Sequence, residues 1–202
     1  YEIGGQAERD YTEKVRPNLP TEPIATPSKP RKVLVHHNPR HLRHLSETLL
    51  RRALVEMGET SGAYTATLSN DFADLASEKL AQYDAVVVSI SVGYPEDRLP
   101  AVLDFVRGGG GWVAIHSSVD AFIRQKEYQQ MMGGLFGASL WGAKLTIRNE
   151  TPASPLTSMW PESFAYADEV FHFGPPYSRD NMTVLLSIDY ENSPQASKKS
   201  EQ

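Results

Sequence analysis

A histidine and two serines close the most distinctive stretch of the sequence. Four glycines at 108–111 lead into the apolar run 112–115, which ends at His116, Ser117 and Ser118. Ligands of open α/β sheets bind beyond the carboxyl ends of the strands, so a histidine there is well placed for chemistry. His116 is predicted to be a catalytic general acid or base, and a packed structural histidine is the alternative. Ser117 is predicted to contact substrate, although a hydroxyl at this point also commonly caps a helix.

The glycine run itself is not predicted to bind phosphate. A dinucleotide fingerprint places its glycines between a strand and the following helix. Here the glycines precede the strand, which is typical of a helix end that turns sharply into a sheet.

A second group of candidates follows the first apolar run of the chain. Residues 36–46 contain four histidines and two arginines, types that bind anions or metals. His44 and Ser46 lie close to a predicted helix start, where backbone N–H groups can meet an anion, and are predicted to bind substrate. Candidate metal ligands are His36, His37 and His116. Since neighbouring strand residues face opposite sides, His36 and His37 cannot both face one site while the strand continues, and a solvated loop is the alternative.

Carboxylates and aromatic side chains in the last third of the chain complete the candidate set. Asp168 and Glu169, which precede His172, are predicted to assist catalysis by orienting an imidazole or binding a sugar hydroxyl, with ordinary surface charge as the alternative. Trp141, in a predicted Gly-rich loop, is a candidate for stacking on a ligand, with a core or lid residue as the alternative.

The composition excludes several classes of function. The chain has 202 residues, a formal charge of −5 and no cysteine. The acidic balance argues against nucleic-acid binding. The absence of cysteine excludes disulfides, zinc–thiolate sites and a cysteine-dependent amidotransferase. No apolar run approaches the roughly 20 residues of a membrane span.

The elements that must position these residues alternate along the chain. Strands are predicted at 32–37, 64–68, 84–90 and, after the four glycines, at 112–115; helices are predicted at 46–57, 75–80, 97–106 and 119–132, with Gly58 ending the first helix. This order predicts an α/β fold with a mainly parallel sheet and helices on both faces. Short strands are predicted at 144–148, 169–173 and 184–188. Residues 1–31 are predicted to be an extended Pro-rich arm, 32–190 the domain, and 191–202 a polar tail.

Several stretches together resemble the ThuA-like (trehalose utilisation) family of the class I glutamine amidotransferase-like superfamily. The stretch 109–117 resembles the family's Gly-Gly-Gly-Phe-Val-Gly-Ile-His-Ser. Residues 44–46 are similar to its His-x-Ser, and 167–173 to its Thr-Asp-Glu-Ile-Tyr-x-Phe. Further similarities lie at 80–87, 128–136, 176–179 and 184–189.

The resemblance implies a flavodoxin-like three-layer sandwich and a bacterial protein of carbohydrate metabolism, connected with 3-keto sugars. It also implies substrate-binding roles for Tyr177 and Arg179, in the stretch similar to Pro-Tyr-Ser-Arg. The Pro/Lys-rich start is similar to exported members, which favours a periplasmic or extracellular location.

The sequence departs from the family pattern at three places. Ser139 and Ser154 stand where the family has histidines, and the family's later Gly-x-Gly-Arg and Gly-His motifs do not follow. Serine cannot replace imidazole as a base near neutral pH. A non-catalytic sugar-binding or assembly module of the same fold is therefore the alternative to a keto-sugar or glycoside-processing enzyme.

The expected partner in either case is a small carbohydrate, with no nucleic acid and no membrane span. A divalent metal and a homo-oligomer are further hypotheses that the sequence leaves open.

Overall fold

The computed structural model describes residues 5–38, 40, 44 and 46–194, apart from the side chains of residues 140–143. The chain divides into two compact units, Tyr1–Tyr128 and Gln129–Gln202. Each unit has its own sheet. Most of the tail predicted at 191–202 lies outside the described residues.

The start of the chain is helical where an extended arm was expected. Helix α1 (Gln6–Asp10) continues into further helical turns that end at Asn18. Tyr11 is fully buried, and the Arg52 guanidinium lies 4.1 Å from the centre of its ring. Arg52 also donates to Glu8, so contacts with the domain, rather than apolar periodicity, hold this segment in place.

The first unit is built on a parallel sheet. Its strands are β1 (Lys32–His36), β2 (Thr65–Ser69), β3 (Ala85–Ser89) and β4 (Gly111–Ile115), in the order β2-β1-β3-β4. Leu34 of β1 pairs with Val86 of β3, and both side chains are fully buried. The four predicted strands and the α/β class are thus confirmed.

Helices connect these strands. They are α2 (Ser46–Ser61), α3 (Ser77–Leu80) and α4 (Leu99–Arg107). Helix α2 continues through Gly58, where a stop was predicted. A Cβ at Gly58 would lie 2.6 Å from the Tyr64 carbonyl oxygen, so this glycine serves close packing. The positive φ of 67° belongs instead to Gly62, just past the helix end.

The single helix predicted at 119–132 is wrong. A 3-10 turn covers His116–Asp120, and helix α5 begins only at Lys126 and ends at Met132. Arg124 has a φ of 72°, in the left-handed region that interrupts a right-handed helix.

The second unit carries an antiparallel sheet. Strands β5 (Leu135–Asn149), β6 (Ser163–Gly174) and β7 (Leu186–Ile188) lie in the order β6-β5-β7. The predicted strands exist here, but β5 and β6 are much longer than the sequence pattern indicated. Within the part of the chain that is described, no helix has the length and apolar character to cross a membrane.

Candidate functional site

The ends of three parallel strands are tied together by buried polar groups. We call this region, residues 36–38, 89–91 and 115–118, the carboxyl edge. The Asn38 backbone N–H donates to the Ser91 hydroxyl over 3.0 Å. The Ser91 N–H in turn donates to the Ser118 hydroxyl over 2.8 Å. All three side chains are buried, so the loops after β1, β3 and β4 are fixed relative to one another.

His116 occupies a strained position at this edge. It follows β4 directly and has a φ of 58°, a conformation that costs a non-glycine residue about 1–2 kcal/mol. Ile90, at the end of β3, is also strained, with a φ of 45°. Such strain persists only where the surrounding structure enforces it, and it is concentrated at functional sites.

Hydrogen bonds of Tyr128 hold the turn that carries His116. The Tyr128 hydroxyl donates to the Ser118 carbonyl over 2.7 Å and accepts from the Trp112 indole N–H over 3.1 Å. An aromatic pair thus fixes the backbone two residues after His116.

The structure brings His116 into contact with His44. Their Nε2 atoms lie 3.2 Å apart, and their rings meet edge to face with centroids 4.7 Å apart. At this distance one imidazole can donate a hydrogen bond to the other, and both rings are only partly buried. The pair is therefore able to hold and transfer a proton at an accessible surface.

The start of α2 positions His44. The Glu47 backbone N–H donates to the His44 carbonyl over 3.1 Å. Ser46 begins the helix and is exposed, which leaves its hydroxyl available to a ligand.

The buried ion pair between Glu47 and Arg51, which follows His44 in the chain, was not identified from the sequence. Glu47 is fully buried and accepts a hydrogen bond from Arg51, while its Oε2 has no hydrogen-bond partner among the described residues. Burial raises the pKa of Glu47, although the Arg51 charge opposes that effect. The sequence feature that could have indicated this ion pair was a glutamate in the first helical turn with an arginine four residues later.

His36 and His37 have different surroundings. His36 is fully buried, with Nδ1 2.8 Å from the Tyr94 hydroxyl and Nε2 3.2 Å from the Asp71 carbonyl oxygen. Burial lowers its pKa. Burial and the Arg51 charge lower the pKa of His37 to about 4. The lowered pKa values thus keep the imidazoles of His36 and His37 neutral. Both ring nitrogens of His36 have hydrogen-bond partners.

No complete metal site accompanies these histidines. Among residues 5–38, 40, 44 and 46–194, no three His, Asp or Glu side chains gather so as to hold an ion. Any metal at the His44–His116 pair would therefore need other ligands as well.

Ser117 and Ser89 add buried hydroxyls to the carboxyl edge. Neither hydroxyl oxygen has a hydrogen-bond partner within the described part of the chain. The predicted contact between Ser117 and a substrate therefore requires this buried group to become accessible.

The glycine run forms the turn that the sequence predicts. The N–H groups of Gly108, Gly109 and Gly110 donate to carbonyls at the end of α4, and Gly111 donates to the Asp84 carbonyl. A Cβ at Gly110 would lie 2.4 Å from the Phe105 ring. These N–H groups are all engaged, so they form no cradle for an anion.

The predicted carboxylates Asp168 and Glu169 lie in the second unit, on β6. Consecutive strand residues face opposite sides of a sheet, so the two carboxylates do not share a face. Asp168 is exposed, and the Tyr166 hydroxyl lies 3.4 Å from its Oδ2. Burial and the Asp168 charge raise the pKa of Tyr166.

The other predicted contacts of the second unit lie on or beside its sheet. Tyr177 is exposed, and Arg179 forms an ion pair with Glu150 at 3.0 Å. The Glu150 carboxylate raises the pKa of Arg179. Trp141 falls within β5, but its side chain lies outside the described residues.

The two serines at family histidine positions also lie in this unit. Ser139 is in β5. The Ser154 hydroxyl accepts the Leu156 N–H over 3.3 Å, a role in turn structure.

Comparison with known proteins identifies the family of the chain. The family model described as trehalose utilisation (ThuA) matches residues 32–201. A ThuA-like protein from Bacteroides uniformis ATCC 8492 superposes with a TM-score of 0.69 at 21% identity, covering 86% of this chain and 74% of that one.

A ThuA-like protein from Parabacteroides merdae ATCC 43184 has a TM-score of 0.60 at 16% identity, with 84% and 71% covered. A search of curated proteins finds no match. The two structures share the fold, and the family model covers most of the sequence. The chain therefore belongs to the ThuA, or trehalose utilisation, family.

Proposed function

We propose that the carboxyl edge binds a sugar or 3-keto-glycoside and that His116 acts there as a general acid or base. Family membership supports a role in carbohydrate metabolism. The observation that carries the proposal is the 3.2 Å contact between the Nε2 atoms of His44 and His116. The strand order β2-β1-β3-β4 supports a flavodoxin-like sandwich, whose ligands bind at this edge.

The chemistry of a 3-keto sugar suits an imidazole. A carbonyl acidifies the neighbouring C–H bonds, so a neutral histidine can remove such a proton at ordinary pH. His44 would orient the His116 ring and share the proton across the Nε2–Nε2 contact. Proton transfer by a positioned group typically contributes about 100- to 10,000-fold in rate.

Two other predicted site residues of the first unit would bind sugar hydroxyls in this proposal. Ser117 would offer its hydroxyl at the carboxyl edge, and Ser46 would offer its hydroxyl at the start of α2. The remaining predicted residues, Asp168, Glu169, Trp141, Tyr177 and Arg179, belong to the second unit and are not assigned to this edge.

A non-catalytic sugar-binding module is the second candidate. It is favoured by serine at positions 139 and 154 and by the structural role of the Ser154 hydroxyl. A hydroxyl cannot supply the proton transfer that an imidazole provides. The two candidates differ in whether a bound keto sugar is converted.

One sample can separate the two candidates. Calorimetry with trehalose and 3-keto-trehalose measures binding, and NMR of the same mixture follows conversion of the keto sugar. The proposed enzyme binds and converts it, whereas the module binds without conversion. Failure to bind either sugar would contradict both candidates.

A metal ion at the same pair is a further proposal. Two imidazole nitrogens on one zinc ion, each about 2.0–2.1 Å from it, can lie at close to the observed separation. Such an ion would polarise the sugar carbonyl, and His44 and His116 would hold it with the remaining ligands from water or substrate. Metal analysis of protein prepared without chelators, compared with His116→Ala, tests this: bound metal should be present and should be lost in the variant.

A further inference from the structure

A cavity of the first unit lies at the amino ends of the parallel strands, at the opposite end of the sheet from His116. Its volume is about 510 Å³, which is within the usual range for small-molecule sites. We call it the amino-edge cavity, and its wall includes Lys29, Arg31, Leu80, Asp84, Ala101 and Phe105. Gly110 of the same wall precedes β4 and His116 follows it, so roughly 20 Å of strand separates this cavity from the histidine pair.

Two cations share one carboxylate in the wall of this cavity. Lys29 Nζ lies 2.8 Å and Arg31 Nη1 3.0 Å from the same Oδ1 of Asp84. The Asp84 Oδ2 accepts the Lys32 backbone N–H over 2.9 Å. Hydrogen bonds from Lys29, the Lys32 N–H and Arg31 hold the pKa of Asp84 well below its usual range, so this carboxylate is charged at neutral pH. Because one negative charge faces two positive charges, the group keeps a net positive charge that attracts an anion.

The second carboxylate of the wall has its own counter-ion. Asp104 Oδ1 lies 3.1 Å from Arg107 Nη1, which is one turn further along α4. Asp104 therefore does not cancel the excess positive charge at Lys29 and Arg31. Both of these cations are accessible to a ligand, since the Lys29 side chain is 62% exposed and that of Arg31 is 40% exposed.

The apolar part of the wall comes from α3 and α4, which contact one another. Leu80 ends α3, and Ala101 and Phe105 lie one turn apart on α4. A Cβ at Gly110 would overlap the Phe105 ring, so the bare glycine backbone allows this ring to lie against the chain. The cavity thus combines an aromatic surface with two cations.

We propose that the amino-edge cavity binds a small carboxylate with a planar apolar body, such as an aromatic carboxylate. The ligand carboxylate would bind Lys29 and Arg31, and its ring would lie against Phe105. Asp84 would compete with the ligand, because it occupies the same two cations. The site uses none of the residues of the carboxyl edge, so it does not depend on the proposed function.

Titration with benzoate tests this proposal, followed by the backbone amide NMR signals of Gly108, Gly109 and Gly110. These signals should shift saturably, with a Kd of about 1 mM for a ligand of this size. Acetate lacks the ring, and benzylamine carries the opposite charge. Each should bind about tenfold more weakly than benzoate.

Two variants of the cavity should change benzoate binding in opposite directions. Lys29→Met should weaken it by about three- to fivefold, the range expected for one accessible ion pair. Lys79→Met removes an exposed lysine of α3 that is not part of the cavity wall, so as the matched control it should leave the affinity unchanged. Asp84→Asn should strengthen binding by a similar factor, because both cations lose their competitor. A merely structural role of Asp84 would not produce tighter binding.

Four results would overturn the proposal, with circular dichroism showing that each variant is folded. They are unchanged glycine signals at benzoate concentrations far above the expected Kd, equal binding of acetate, equal losses in Lys29→Met and Lys79→Met, and unaltered or weaker benzoate binding by Asp84→Asn. Tighter binding of benzylamine than of benzoate would also contradict it and would assign the cavity to cations.

Discussion

His44 and His116 are separated by 72 residues in the sequence, yet their Nε2 atoms lie 3.2 Å apart. Different parts of the fold hold the two residues in this position. His116 is fixed by the strained turn after β4, and His44 is held through the first turn of α2. The contact between them is the basis of the predictions that concern chemistry.

The strain at His116 can be measured with two substitutions. Glycine tolerates a φ of 58°, whereas alanine does not, and neither retains the imidazole. His116→Gly should therefore be more stable than His116→Ala by about 1 kcal/mol. Urea unfolding of the two variants measures the difference. Equal stabilities would show that the turn is not strained in solution.

The buried Glu47–Arg51 pair should contribute far more to stability than an exposed pair. Arg51→Met leaves a buried carboxylate without its partner, which should cost about 3 kcal/mol. Arg107→Met is the matched control, because Arg107 pairs with Asp104 at the surface of α4, and it should change stability by less than about 0.5 kcal/mol. Chemical denaturation of both variants measures the contrast, and similar losses would contradict it.

The pH dependence of the same variant has a definite sign. Burial raises the pKa of Glu47, so the unfolded chain gives up this proton at lower pH than the folded chain. Stability from Glu47 therefore falls as pH rises through its folded pKa. Since Arg51→Met removes the compensating charge, the deficit of the variant should shrink as the pH is lowered. A deficit that grows in acid would contradict a buried, charged Glu47.

His37 should make the protein sensitive to mild acid. Its pKa is about 4 in the folded chain against 6.5 ordinarily, so between these values the unfolded chain binds a proton that the folded chain does not. Stability should thus decline as the pH falls from about 6.5 toward 4, by at most about 3 kcal/mol from this residue. His37→Gln should flatten the decline, leaving the part due to His36. Melting temperatures across this range measure it, and an unchanged slope would exclude His37 as a cause.

Much of the first unit follows from sequence pattern alone. The β-branched runs at 32–37 and 84–90 and the apolar run at 112–115 that follows the glycines all form strands. The runs 32–37 and 84–90 are largely apolar because the two middle strands of a parallel sheet are buried on both faces, which gives a strong local signal. The candidate residue His116 could be identified from the sequence because it directly follows one of these apolar runs.

The features that the sequence missed depend on tertiary contacts. The turn at Arg124 that interrupts the predicted helix and the helical start of the chain around Tyr11 have no periodic pattern of their own. Helix α2 passes Gly58 because that glycine packs against Tyr64, which no local rule reveals. The buried partner Glu47 was missed because a glutamate in a first helical turn normally faces solvent.

The role of His116 in proton transfer is tested most directly by the turnover of a 3-keto-glycoside by wild-type protein and by His116→Gln. Calorimetry on the same samples checks that the variant still binds the sugar, and circular dichroism checks that it is folded. We expect near-normal binding with conversion reduced by about 100- to 10,000-fold. Conversion by folded His116→Gln at the wild-type rate would contradict the central claim that His116 carries the proton transfer.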